Sequence, residues 1–104
     1  MRKQFASALL LFVTLGCHGV ATPPETAITK HPAPVTRSAA SYFEFGSTQA
    51  TATYKCKLDG GEYLECRSPS LFTVGAGAHT FSIYAESEEG ADPTPESHTW
   101  TVAL

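Results

Sequence analysis

From Ser38 onward, apolar and polar side chains alternate residue by residue, and no window holds the recurrence of a helix. A period of two places successive side chains on opposite faces of an extended strand. In "SYFEF", Ser41, Phe43 and Phe45 share one face, with Tyr42 and Glu44 on the other. In "TATYKCKL", Tyr54, Cys56 and Leu58 oppose Thr53, Lys55 and Lys57. In "EYLEC", Leu64 and Cys66 oppose Tyr63 and Glu65. In "HTFSIYA", Phe81, Ile83 and Ala85 alternate with Thr80, Ser82 and Tyr84, and in "HTWTV" Trp100 and Val102 alternate with Thr99 and Thr101. Gly46-Ser47, Asp59-Gly60-Gly61, Ser68-Pro69, Gly75-Ala76-Gly77 and Gly90 separate these runs. Short strands with one apolar face each, broken at this spacing, predict antiparallel sheets packed as a β-sandwich. Upstream, residues 18 to 37 are rich in Pro, Thr and Ala, and "TPPETAIT" and "HPAPVT" read as extended chain.

The central hairpin allows a register argument. If Cys56 stands opposite Cys66, paired residue numbers sum to 122. Leu58 then faces Leu64 inward, while Lys57 meets Glu65 and Lys55 meets Arg67 outward. A slip of one residue would turn every side chain to the wrong face. The expected connection is an odd-length loop, Gly60 to Glu62, with a glycine at positive φ. The alternative for "YKCKLDGGEYLEC" is a metal site, but two cysteines without a second thiol pair are a weak zinc signal.

A third cysteine, Cys17, lies behind an N-terminal secretory signal. Arg2 and Lys3 form its basic part, and Phe5 to Leu15 its apolar part. Eleven residues rise only about 16 Å as a helix, against roughly 30 Å of hydrocarbon core, so the segment is too short to remain as a span. Two cuts are available. Gly19-Val20-Ala21 offers small residues for conventional cleavage. Thr14-Leu15-Gly16-Cys17 resembles a bacterial lipoprotein lipobox, in which the cysteine takes a diacylglycerol and becomes the mature N-terminus. The usual leucine of that motif is replaced by Thr14. Acylation would account for the odd thiol and leave Cys56 and Cys66 to pair. The expected organisation is a lipoprotein-type signal peptide at 1–16, the lipidated Cys17 with a short tether at 17–21, and one domain at 22–104. Oxidising surroundings on the far side of the membrane favour a disulfide over free thiols.

Beyond the signal, five Lys and Arg face ten Asp and Glu, a net charge near −5. Such a surface has no basic stripe for phosphates, so nucleic acid is not an expected partner. Membrane attachment would depend on the acyl chains.

The runs "YKCKLDGGEYLECRSP", "GAHTFSIYAESEEG" and "DPTPESHTWTV" resemble the bacterial immunoglobulin-like, fibronectin-III-like repeat of large surface proteins. The likeness covers Thr22 to Leu104, with "PPETAIT" as its first strand. It implies an all-β, immunoglobulin-like antiparallel β-sandwich of about seven strands. It also implies a disulfide between Cys56 and Cys66, and a core tryptophan at Trp100 on the last strand. Where the family commonly has Asp and Asn, this chain has Ser87 and Ala91, so the likeness assigns no calcium contact there.

Candidate chemistry is sparse. His79 and His98 form the only histidine pair with a metal or proton-transfer reading; the plainer expectation is a hydrogen-bonded strand-end His79 and a surface His98. Glu86, Glu88, Glu89 and Asp92 match no dedicated calcium loop and read as a solvated turn. No nucleophile elbow, HExxH or phosphate loop occurs, so no enzyme activity, cofactor or metal is expected. Tyr42, Tyr63 and Tyr84, on outward faces, are the candidate binding residues, since tyrosine suits protein or glycan contact. The expected protein is therefore a non-enzymatic, monomeric module of a bacterial cell envelope. A lipid would anchor it to the cell membrane or outer membrane, or it would lie free in the periplasm or outside the cell. It would bind protein or glycan, or act structurally. The alternative is a small inhibitor or protective lipoprotein that blocks an enzyme with Asp59 to Glu62 or Glu86 to Pro95.

Overall fold

A computed structural model describes residues 22–104. The signal segment, its cleavage and the lipidation of Cys17 lie outside the described residues. Among the described residues there is no helix, and hence none long and apolar enough to cross a membrane.

The described residues form nine strands in chain order: β1 (Thr26–Lys30), β2 (Val35–Thr36), β3 (Ala40–Ser47), β4 (Thr53–Leu58), β5 (Leu64–Cys66), β6 (Ser70–Thr73), β7 (Gly77–Ser87), β8 (Gly90–Ala91) and β9 (Glu96–Val102). Seven are the longer strands that a sandwich of this kind requires; β2 and β8 are two-residue additions. One sheet has the order β1-β3-β6, and the other β2-β9-β7-β4-β5, with β8 folded back on β7. All pairings are antiparallel except β2 with β9, which run parallel. The chain is thus the all-β, immunoglobulin-like sandwich that the alternation and the family likeness predict.

The inward faces are those of the alternation. Phe43, Phe81, Ile83 and Ala85 are fully buried, and Phe45, Trp100 and Val102 nearly so. Phe43 is the centre of this core: its ring stacks on Phe81 at 4.1 Å and meets Trp100 edge-on at 5.2 Å. Such offset and edge-to-face contacts add to the burial of apolar area, because the ring edge is positive and the face negative. A second, polar tie joins the sheets. The Thr26 hydroxyl on β1 donates to Asp92 Oδ2 at 2.6 Å and accepts from the Ala85 amide of β7 at 2.9 Å.

The β4–β5 register corrects the sequence reading. Tyr54 pairs with Cys66, Lys55 with Glu65 and Cys56 with Leu64, so paired numbers sum to 120. Cys56 and Cys66 are diagonal neighbours, and they form the disulfide with Cα atoms 5.9 Å apart. A shift of two residues keeps every side chain on its predicted face, which is why alternation cannot detect it. The residue at positive φ before this loop is Asp59 (φ 56°), and neither Gly60 nor Gly61 has one. Asp is one of the few residues that enter that conformation, and here its side chain is fastened to β7, with Asp59 Oδ1 accepting the Thr80 amide at 2.9 Å. Gly61 serves close approach instead: a Cβ there would lie 3.3 Å from the Leu58 carbonyl oxygen, which accepts the Gly61 amide.

Two placements differ from expectation. Leu64 lies on the core-facing side but is 67% exposed, because β5 is three residues long and forms the edge of its sheet. His98 lies on the core face of β9 and is half-buried, not on the surface. Its parity with Trp100 and Val102 requires that position.

Candidate binding band along the β5–β6 side

β5 and β6 are edge strands of different sheets, joined by Arg67–Pro69, so this side of the sandwich has no strand to close it. A cleft of about 450 Å³ results, floored by the Cys56–Cys66 bridge and lined by Leu58, Leu64, Leu71 and Phe72. Leu71 is 65% exposed. Large aliphatic side chains this open are informative only when they adjoin one another, as they do here. The sequence reading missed the cleft because "SLFT" was not among its alternating runs.

None of the three candidate tyrosines lines this cleft: Tyr42 lines a separate pocket with Lys30, His31 and Pro32 on the β1–β2 side, and Tyr63 and Tyr84 pack together on the outside of the other sheet. On β3, Tyr42 stands directly opposite Leu71 in the β3–β6 ladder, on the outer face. Its hydroxyl donates to the Glu44 carboxylate, and that bond holds the phenol above its ordinary pKa. On the other sheet, Tyr63 and Tyr84 pack edge to face with ring centroids 4.9 Å apart. Lys57, which lines the cleft, reaches over the Tyr63 ring at 4.8 Å, a cation–π contact. Behind them Lys55 pairs with Glu86 at 3.0 Å, and this carboxylate holds the ammonium above its ordinary pKa. Lys57 and Leu71 both line the cleft, and each has one candidate tyrosine beside it: Tyr63 under Lys57, and Tyr42 opposite Leu71 in the ladder.

The titratable groups read as chemistry candidates are engaged elsewhere. His79 Nδ1 lies 2.9 Å from Asp59 Oδ2, and its Nε2 lies 2.8 Å from the Gly75 carbonyl oxygen. The hydrogen bond to Asp59, reinforced by that carbonyl, raises the imidazole pKa; the same bond lowers that of Asp59. With both ring nitrogens occupied, His79 is a fastener for the β4–β5 loop, as expected of a strand-end histidine. His98 Nε2 lies 2.8 Å from the Pro32 carbonyl oxygen, on the opposite side of the sandwich from the cleft. Asp92 corrects the solvated-turn reading. It is 3% exposed, and besides Thr26 it accepts the amide and hydroxyl of Thr94 at 2.9 and 2.8 Å. Burial alone would raise its carboxyl, but the bonds from Thr26 and Thr94 outweigh burial and lower it. Among the described residues, no three His, Cys, Asp or Glu side chains come together as a metal site.

No family model, no curated protein and no solved structure matches this chain.

Proposed function

We propose that the chain is a non-enzymatic, lipid-anchored module of the bacterial cell envelope that binds a protein partner through the β5–β6 side. The observation that carries this reading is the open cleft lined by Leu58, Leu64, Leu71 and Phe72, with Tyr63 packed under Lys57, one of its lining residues. Exposed aliphatic groups flanked by tyrosines are the composition of a protein-contact surface, in which a few buried anchors carry most of the affinity. A glycan would instead favour open aromatic faces with free polar groups around them. The anchor is Cys17, as the lipobox-like Thr14-Leu15-Gly16-Cys17 indicates.

A photo-reactive residue at position 64 or 71 tests the partner in intact cells. One crosslinked protein, lost in Tyr63→Ala or when Leu64 is replaced by Asp, supports the proposal; crosslinks to polysaccharide alone, or none, refute it. Mass spectrometry of the mature N-terminus tests the anchor: diacylglycerol on Cys17 supports it, and an unmodified Thr22 excludes it.

A second reading, an inhibitor acting through Asp59 to Glu62, has one observation in its favour. Asp59 holds this loop to β7 through the Thr80 amide and His79, and its own amide donates to the Thr80 carbonyl oxygen at 2.7 Å. A preorganised loop binds with little ordering cost. Crosslinking to a hydrolase from position 60 rather than 64 would favour this reading.

A further inference from the structure

The side of the sandwich away from the cleft is closed by the crossover between β1 and β2. This segment, His31 to Pro34, carries the chain from one sheet to the other, and β2 then covers the free edge of β9. The cover is slight. It consists of two paired residues, with the Thr101 amide donating to the Pro34 carbonyl oxygen and the Ala103 amide to that of Thr36, each at 2.8 Å.

Two histidines hold the crossover in place. The His31 and His98 rings are stacked, with centroids 3.9 Å apart. His31 Nδ1 and His98 Nε2 both lie 2.8 Å from the same Pro32 carbonyl oxygen. A carbonyl only accepts, so both nitrogens carry hydrogen. That fixes the tautomer of neutral His98 and leaves its Nδ1 to take up a proton. On its other side His98 meets apolar rings, Phe43 edge-on and Trp100 in parallel.

We propose that the His31–His98 stack is a proton-operated latch, closed while His98 is neutral and released as His98 becomes charged, which frees β2 from the edge of β9. Charging His98 costs it hydration where it is half-buried and sets it against His31 at stacking distance, while the parallel Trp100 face works the other way. The ionisable groups on the surrounding elements do not cancel this. On β1, Lys30 precedes His31 and is cationic. On β3, Glu44 points to the outer face, where Lys30 lies 3.9 Å away. On β7, Phe81 stands opposite His98, and His79 lies beyond Trp100. On β9, Glu96 is two residues before His98 and exposed, and Arg37 after β2 is a further exposed cation. Burial has the largest effect and lowers the His98 pKa; the Pro32 carbonyl, next in size, raises it, and His31, the smallest cause, lowers it. A histidine depressed in this way is more easily protonated unfolded than folded. Its contribution is present above the ordinary value of about 6.5 and is lost as pH falls below it.

Amide hydrogen exchange at pH 7.5 and 5.0, corrected for intrinsic rates, reads the latch at Thr101 and Ala103, with the β4–β7 amides as internal reference. The expected result is at least a tenfold loss of protection at these two amides on acidification, with the reference unchanged. In His98→Phe, which keeps an aromatic ring but cannot titrate, their protection should not depend on pH. Should that variant not fold, His31→Gln at the exposed position should reduce the loss at least threefold. Equal protection at both pH values in the unmodified protein, or an undiminished pH response in the variants, overturns the proposal.

Discussion

The two open sides of the sandwich are closed by different means. On the β1–β2 side, the chain itself crosses between the sheets, and polar groups complete the closure: two imidazoles and one carbonyl oxygen. On the β5–β6 side the chain also crosses, but the strands are short, and a covalent bridge between β4 and β5 takes the place of packing. The first side leaves Val35 of β2 as open as Leu71 and is held by hydrogen bonds alone. The second leaves Leu64 and Leu71 in solvent and is sensitive to reductant. A small domain has too little core to fill both flanks, so one flank can be left apolar and available if a disulfide stabilises it.

Substitutions can separate the two flanks. The largest effect is expected at Phe43, which packs on Phe81, Trp100 and His98. Phe43→Ala should cost about 3–5 kcal/mol by urea unfolding. Leu64→Ala faces the same interior from the other flank, yet should change stability by less than about 0.5 kcal/mol, because the side chain is already in water. Equal effects would show that the cleft closes in solution.

Next in size is the bridge. Cys56→Ala with Cys66→Ala closes no loop in the unfolded chain and should lose about 2–3 kcal/mol in the chain-entropy picture. The loss should appear as a lower urea midpoint that reductant no longer affects. Exchange at Thr101 and Ala103 should not respond, because the bridge lies on the other flank.

A smaller, pH-dependent effect distinguishes His98 from His79. The raised pKa of His79 gives stability that is fully present below about 6.5 and is lost as pH rises through the folded value; the depressed His98 has the opposite sign. Between pH 7.5 and 5.5 the two oppose each other. Asp59→Asn removes the partner that raises His79, so the melting temperature of this variant should fall more steeply on acidification than that of the parent. His98→Phe should make it fall less or rise. Parallel melting curves for the parent and both variants would remove the distinction.

The smallest expected effect on folding is at Leu71. Leu71→Ser should leave the melting temperature within a degree or two, a shift of a few tenths of a kcal/mol. Any large loss of partner crosslinking in that variant therefore reports the contact and not the fold.

Alternation made the core faces legible, since Phe43, Phe45, Phe81, Ile83, Trp100 and Val102 all lie where period two puts them. It could not supply strand partners, because a ladder displaced by two residues has the same faces. The 122 register failed for this reason: disulfides also join diagonal neighbours. His98 was legible in principle, through its parity with Trp100, but residue type was allowed to outweigh position. Asp92 was not legible. Its burial depends on Thr26, which is 66 residues distant in sequence and meets it only when the sheets close. The binding band is legible only in parts. The tyrosines alternate outward as expected, but the cleft forms from two strand edges whose proximity no periodicity encodes.

The Thr26 tie has a mechanical consequence. Just ahead of it, the Thr22 carbonyl oxygen accepts from Gln49 Nε2, and the Glu25 amide donates to the Thr48 hydroxyl. Tension entering from the residues that precede Thr22 therefore reaches fastenings to the β3–β4 loop, then a hydroxyl gripped by the opposite sheet through Ala85 and Asp92. At this point β1 cannot unzip from β3 one bond at a time; both layers share the pull.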